Sequence, residues 1–392
     1  MSRYVFLFFL SSLLFVSCKK KDLENLRLRS LTFEIGNISK TIPLSEINAE
    51  VSVVPLEICD STKIGDIVRI IHQDSALYVA DNLNLYHYDS KGKLQRMLKR
   101  NGNGADEYLH ITDFQIDEQG NPWILSSENR CLYHYTWDGY LDHRIPLKSL
   151  AEKMYLKGDR LMFLYTGNEK NSNNRYQLVA LDLTTKEVVD HYFPIDDEQQ
   201  STFLPVLGEN HFGNDSDGSI YFFRMFSDTV YCVTPSNRMV PAYFLNLADR
   251  NIPSEFFDKP YKDRSDFLAH LRADSYAYGP GLFMNEGKAS WITCDYNGQT
   301  LFCVRDKNKE MTSSILKDDV CLSGFPIEVT DRKIFQQKDH ELIIPVCPGE
   351  LLDYMNVELD GKEKEQLKQK VGNLATNQNP LLLNIKMKST KK

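Results

Sequence analysis

Asp215, Ser216, Asp217 and Gly218 follow one another in the order found in the middle of a calcium-binding helix–loop–helix loop. Such a loop needs an oxygen ligand at its first position and a bidentate Glu at its last. Here those positions fall on Gly213 and Arg224, so the segment reads as an Asp/Gly turn instead. Gly102 and Gly104 do not make a phosphate loop, because no Gly-Lys-Ser/Thr and no helical pattern follows them. Neither a G-x-S-x-G elbow nor an H-E-x-x-H pair occurs. His87 and His134 stand in equivalent surroundings, each between Tyr residues. Two histidines alone do not make a metal site, so they read as half-exposed strand residues and no metal is expected. Carboxylate runs at Asp106/Glu107, Asp196/Asp197/Glu198 and Asp318/Asp319 read as solvated loop faces. Trp123, Trp137 and Trp291 could serve as sugar platforms, but such residues more often pack between sheets.

Composition narrows the partners. The net charge of −8 argues against nucleic acid, which requires a basic face. Hydrophobic residues at 42% and charged residues at 26% suit an ordinary globular core. The 20 Tyr and 21 Phe favour strands. Eight cysteines are present and none forms a C-x-x-C pair, so zinc-ribbon and thioredoxin-like chemistry are not expected and no cofactor is implied. Cys294 and Cys303 flank Asn297-Gly298, but a two-residue turn there pairs Cys303 with Ile292. No bridge between the two cysteines is predicted.

The first residues address the chain. Arg3 precedes thirteen uncharged residues, 4–16, interrupted only by Ser11 and Ser12. That run is shorter than the about 20 residues needed to span a bilayer, and has the length of a signal-peptide core. Phe15-Val16-Ser17-Cys18 follows at once and resembles a lipobox, with Phe in place of the usual Leu. Residues 1–17 are therefore expected to be a signal peptide, Cys18 the lipid attachment point, and 18–30 a tether. Lys19, Lys20, Lys21 and Asp22 resemble the surface-export signals of Bacteroidota lipoproteins, and equally suit a solvated tether. The expected location is a lipid-anchored one, on the periplasmic or cell-surface face of the outer membrane.

The elements that would position any site repeat. Leu-Tyr-His-Tyr occurs at 85–88 and again 47 residues later at 132–135. Gly92 and Gly139, and Leu94 and Leu141, keep the same offset. Periods of about 40–50 residues with several short strands per unit indicate propeller blades. Diverged copies cover 176–188, 218–233, 289–305 and 333–346, giving six strand-rich units from Val51 onward. Two helical insertions interrupt them. Residues 253–273 are expected to form two short helices, with Ser254 as N-cap and Pro260 as the break. Residues 360–371 should form one more helix, stopped by Gly372. Strand-like segments at 41–56 and 380–388 suit a ring closed by strands from both ends.

Residues 101–117 resemble the inter-blade pattern of the six-bladed β-propeller lipoproteins of Bacteroidota, a group related to NHL repeats. The matching residues are Gly102, Gly104, Glu107, Tyr108, Asp113, Phe114, Ile116 and Asp117, with Ala105 departing from the usual Pro or Gly. Gly102 and Gly104 are expected to supply positive φ, and Glu107 and Asp113 to hold turn N–H groups. The resemblance implies an all-β, six-bladed propeller over residues 31–392. It brings no shared activity or site residues. The function expected is a binding or scaffold module of the cell envelope, with an envelope protein or a glycan as partner. The alternative is a carbohydrate lyase or hydrolase with its site in the propeller funnel.

Overall fold

A computed structural model describes residues 27–36, 38–58, 63–167, 175–195, 210–215, 218–286, 289–306, 309–372 and 374–388. The described chain forms seven sheets, each taken as one blade of a β-propeller, and so corrects the expected six. Blade 1 consists of Ile67–Gln73, Ala76–Asp81, Asn84–Asp89 and Leu94–Lys99. Blade 2 consists of Asp113–Ile116, Pro122–Ser126, Cys131–Tyr135 and Leu141–Pro146. Blade 3 follows with Lys153–Lys157, Leu161–Tyr165, Tyr176–Asp182 and Glu187–Pro194. Blade 4 has Phe212–Asn214, Ile220–Phe222, Thr229–Val233 and Met239–Asn246, and adds Arg29–Thr32 in parallel outside the last of these. Blade 5 is Ala277–Glu286, Ala289–Tyr296, Gln299–Arg305 and Glu310–Ser313.

Blade 6 was not foreseen. It pairs Ile315–Asp318 with Phe325–Glu328 and takes Ile42–Pro43 as a parallel third strand. It lies against the two outer strands of blade 5, and its Ile42, Leu316 and Ile327 join the core shared by blades 5 and 7. Blade 7 runs Phe335–Gln336, Glu341–Val346, Leu381–Met387 and finally Ala49–Pro55, so strands from both ends of the chain close it as expected.

The repeated tetrapeptide shows why the strands form. Alternation sends Tyr86 and Tyr88 to one face and Leu85 and His87 to the other. A propeller blade is covered on both faces, so Leu85, Tyr86, Tyr88, Leu132, Tyr133 and Tyr135 are all fully buried. Each such ring contributes about 1.5–3 kcal/mol by burial, on condition that its hydroxyl finds a partner. Tyr86 donates to Asp81 Oδ2 at 3.0 Å and Tyr135 to the Asp106 carbonyl at 2.8 Å. At Asn297-Gly298 both residues have positive φ, and the resulting register pairs Cys303 with Ile292, as the turn predicts. Cys294 and Cys303 are free thiols with their sulfurs 3.6 Å apart.

Among the described residues three α-helices are present, and they depart from the expected pattern. In the first insertion, Ser254–Phe256 is a single 3-10 turn. A true helix, α1, begins only at Arg264 and runs to Ala273, capped by Asp263, whose carboxylate accepts from Asp266 N. Pro260 does separate the two pieces, but Ser254 caps neither. Helix α2, Pro348–Glu358, was missed. Helix α3, Gly361–Val371, sits where the second insertion was placed and is set by a capping box between Asp360 and Glu363. Among the described residues no helix is long and apolar enough to cross a membrane.

Candidate functional site

The inner strand of blade 2 meets those of blades 1 and 3, and side chains from the first halves of the three strands come together. Arg69 Nη1 donates to both oxygens of Asp113 at 2.9 Å, and Asp113 Oδ2 also accepts from Met154 N at 2.7 Å. One carboxylate with no exposed surface thus ties three blades together. Lys153 stands beside this pair. Burial holds its ammonium below the ordinary lysine range, with Asp113 opposing that effect and Arg69 and Lys333 adding to it. Arg69, Lys153 and Lys333 make this region electropositive on a chain of net charge −8.

The positive region continues into a cavity of about 490 Å³ between blades 3, 4 and 5. Two side chains define its polar wall. His211 is buried, with its ring 3.8 Å from that of Tyr165 and its Nδ1–H donated to the Phe223 carbonyl at 3.2 Å. Burial pushes its pKa down to about 3, and the charges of Lys153 and Arg224 press the same way. The ring is therefore neutral at pH 7 and offers Nε2 as an acceptor. Arg224 is the second. Its Nη1 donates to Gln177 Oε1 at 2.9 Å, and its guanidinium lies over Phe193 at 4.6 Å. Its Nε has no hydrogen-bond partner, and no carboxylate among the described residues forms an ion pair with it. Burial alone lowers its pKa, opposed by Tyr231 and Tyr165.

The remaining wall comes from the insertion after blade 4. Leu247, Ile252 and Phe257 face the cavity together with Phe226 and Tyr278. The insertion holds its shape through a small core of its own, Phe256, Phe267 and Leu271. Asn251 closes the entry turn: its Oδ1 accepts from Leu247 N at 2.7 Å and its Nδ2 donates to the Leu245 carbonyl at 2.8 Å. Asp228 and Asp258 also line the cavity. Burial pushes the Asp228 carboxyl up, and Thr229 Oγ1 donates to it at 3.2 Å.

The family-like residues are divided among three places. Gly102, Gly104, Glu107 and Tyr108 build the crossover from blade 1 to blade 2. Glu107 Oε2 accepts from Gly104 N at 2.8 Å, and the buried Tyr108 donates its hydroxyl to the Leu83 carbonyl at 3.0 Å. Neither glycine has positive φ, contrary to expectation. The space is what matters: a Cβ on Gly102 would stand 2.0 Å from Glu107 Oε2. Asp113 holds no crossover turn but lies at the funnel end, because it opens the inner strand of blade 2. Phe114 and Ile116 enter the core between blades, and Asp117 is buried at the first turn of blade 2, accepting from Asn121 N at 2.7 Å. Cys18 lies outside the described residues, as do Asp196, Asp197 and Glu198.

One carboxylate reading needs correction, while the strand placement of the histidines and the packing of the tryptophans hold. Asp318 is not a solvated loop carboxylate. It is buried, accepts from Val320 N and Cys321 N at 3.1 and 2.9 Å, and is pushed up by burial. His87 and His134 sit on third strands rather than on the inner strands, although His134 Nε2 reaches Asp117, just past the inner strand of blade 2, at 2.8 Å. Trp123 and Trp291 are buried, and Trp137 stacks on Tyr78 and donates to the Gly120 carbonyl at 2.7 Å, so all three pack rather than form a platform. Sequence reasoning missed His211, Lys153 and Arg224. For Arg224 a signal existed: one cation inside the run Tyr221-Phe222-Phe223-Arg224-Met225-Phe226 cannot be a solvated face, since charges in such runs are buried for a reason.

Comparison with known proteins agrees with the fold. The family described as a domain of unknown function, DUF4934, matches residues 31–386. A Bacteroides fragilis protein described as exported has a similar structure, with a TM-score of 0.70 at 17% identity, covering 92% of this chain and 100% of its own. A Bacteroides vulgatus member of the DUF4221 family is looser, at a TM-score of 0.48 and 10% identity over 88% of this chain and 99% of its own. A virginiamycin B lyase from Staphylococcus aureus reaches 0.40 at 10% identity, over 74% and 79%. No curated protein matches the sequence.

Proposed function

This chain belongs to the DUF4934 family, and from that premise we propose that it is an exported, lipid-anchored binding module of the cell envelope that captures a small anion with an apolar face. The observation that carries the reading is Arg224, a partly buried guanidinium whose buried Nε has no hydrogen-bond partner and which has no carboxylate partner among the described residues, set in the wall of a cavity of about 490 Å³. Cavities of about 300–1,000 Å³ hold small-molecule ligands. A partly desolvated cation with no anionic partner is costly, and an incoming carboxylate, sulfate or phosphate recovers that cost through a charge-assisted bond. Lys153 and Lys333 favour the same sign of ligand. The apolar wall from the insertion suits a hydrocarbon surface or the hydrophobic face of a sugar acid.

Anion capture is tested by thermal shift and calorimetry with glucuronate and with short-chain carboxylates. Stabilisation by at least one of them, lost in Arg224→Met, is expected. Equal binding by wild type and Arg224→Met, or no stabilisation by any of these anions, overturns the reading. The anchor is tested separately. Cys18→Ala should move the protein from the membrane fraction to the soluble one; retention on the membrane counts against lipid on Cys18. A membrane-anchored capture protein joins these two features, since the funnel then faces the ligand supply while the tether keeps the module at the surface.

A further inference from the structure

Blade 2 carries a second side-chain cluster, on its third and fourth strands. We propose that His134, Asp142 and His143 form a divalent-metal site of the zinc class on the outer strands of blade 2. The donors already converge: Asp142 Oδ2 lies 3.0 Å from His134 Nδ1 and 2.7 Å from His143 Nδ1, and one ligand atom from each residue falls within 4.8 Å of the others. Tetrahedral ligands about 2.1 Å from zinc stand about 3.3 Å apart. Seating the ion would lengthen the two contacts with Asp142 by about 0.3 and 0.6 Å and draw the two imidazole nitrogens, which lie within 4.8 Å of each other, to about 3.3 Å.

The backbone explains how adjacent residues reach one point. Consecutive residues on a regular strand face opposite sides. His134 pairs with His143, Tyr135 pairs with Leu141, and Asp142 is the extra residue of a β-bulge between them. A bulge re-aims side chains, which here brings Asp142 and His143 together opposite His134.

A carboxylate on each ring nitrogen of His134 favours a cation there, either a metal ion or a proton on the ring. Its Nε2 faces the buried carboxylate of Asp117 at 2.8 Å, and a carboxylate only accepts, so the ring N–H belongs there. In a neutral ring Nδ1 then carries a lone pair, and it points at Asp142 Oδ2. Two lone pairs at 3.0 Å repel unless a cation sits between them. A carboxylate on the far nitrogen of a metal-binding histidine is the common arrangement that fixes which nitrogen binds. The stack of Trp123 on His134, with ring centroids 4.5 Å apart, further holds the ring in place.

Blade 1 provides an internal comparison. His87 is the repeat counterpart of His134, and the same bulge recurs opposite it. There the positions of Asp142 and His143 are taken by Gln95 and Arg96, which bind no metal. The repeat thus accounts for a histidine at 134 but not for the two ligands facing it. The donor set of two imidazoles and one carboxylate suits zinc, with nickel and copper as close substitutes.

The test uses the full chain, purified without a histidine tag and stripped with chelator. Zinc is titrated by calorimetry, and copper is titrated against tryptophan fluorescence, which Trp123 should report by quenching. One equivalent of zinc is expected to bind and to raise the melting temperature. His143→Ala and Asp142→Asn, both on half-exposed side chains, should each weaken binding at least tenfold and remove the copper quench. Unchanged affinity in both variants would place the metal elsewhere. Absence of zinc binding would mean that the cation is only a proton on His134. Either result overturns the site.

Discussion

His211 shows how a single buried side chain makes stability depend on pH. Its pKa lies near 3 when folded and about 6.5 when unfolded. The unfolded chain therefore binds the proton more readily. The contribution is fully present above about pH 6.5 and is lost as pH falls toward 3, at up to about 1.4 kcal/mol per pH unit. His211→Phe keeps a ring against Tyr165 and removes the titration. Its melting temperature should fall less steeply than that of wild type between pH 6.5 and 4; parallel curves would show that His211 is not buried neutral. Asp295 has the opposite sign. Burial raises its carboxyl to about 6, although Thr300 Oγ1 donates to it at 2.9 Å. A raised carboxyl pKa favours the fold only at pH below about 4, and the benefit is gone once pH passes 6. At pH 7 the ionised group costs about 1–3 kcal/mol. Asp295→Asn keeps the acceptor for Thr300 and should stabilise the protein by that amount at pH 7 but not at pH 4, as chemical denaturation at the two pH values would show.

At the scale of the element, the two copies of the repeat make a paired prediction. Gly92 and Gly139 hold the same turn position, with φ of 80° and 84°. Any L-residue is strained there. Their surroundings differ, however. A Cβ on Gly92 would stand 2.0 Å from the Pro55 carbonyl oxygen, whereas a Cβ on Gly139 meets the end of the Arg100 side chain at 3.0 Å, a side chain rather than backbone even though its guanidinium donates to the Gly139 carbonyl. Gly92→Ala should cost about 2–4 kcal/mol and Gly139→Ala about 1 kcal/mol, measured by urea denaturation. Equal costs would mean that the contact with Pro55, and hence the closing strand Ala49–Pro55, is looser than described. The contrast marks what was legible in the sequence. The 47-residue offset revealed the turn, the strands and the alternation of Tyr and Leu, because local pattern dictates them. It could not reveal which neighbour each copy packs against. Blade 6 was illegible for a related reason: its two sequential strands are four residues each and its third, Ile42–Pro43, arrives from 273 residues earlier in the chain. Helix α2 was readable, since Pro348 at its first turn and Leu351 and Met355 four apart are a helix signature. The cavity wall was half legible. The insertion was placed correctly, but nothing in its spacing showed that it leans over Arg224.

For the whole molecule, closure decides whether seven blades behave as one. Blade 7 joins Leu381–Met387 to Ala49–Pro55 through a continuous antiparallel register from Leu381 opposite Pro55 to Met387 opposite Ala49. Leu383 and Ile385 are buried between blades 5 and 7, while Leu382 packs with Val79 and Tyr86 of blade 1. Deleting residues 381–392 would leave Ala49–Pro55 without its partner and expose two sheet edges, each a row of unpaired N–H and carbonyl groups. The tryptophans report the consequence from different sites. Trp123 belongs to blade 2, and Trp291 belongs to blade 5. In the full chain both should unfold in one transition that coincides with far-ultraviolet circular dichroism. In the truncated chain, loss of the closing strand removes the coupling across blades 5, 7 and 1, while blades 2 and 3 keep their mutual contacts through Asp113 and Met154. Trp291 should therefore become exposed at lower denaturant than Trp123, a difference read one tryptophan at a time by combining Trp137→Phe with either Trp291→Phe or Trp123→Phe in the truncated background. Coincident transitions there would mean that cooperativity comes from nearest-neighbour blades alone and that the two-ended blade serves only to cover an edge.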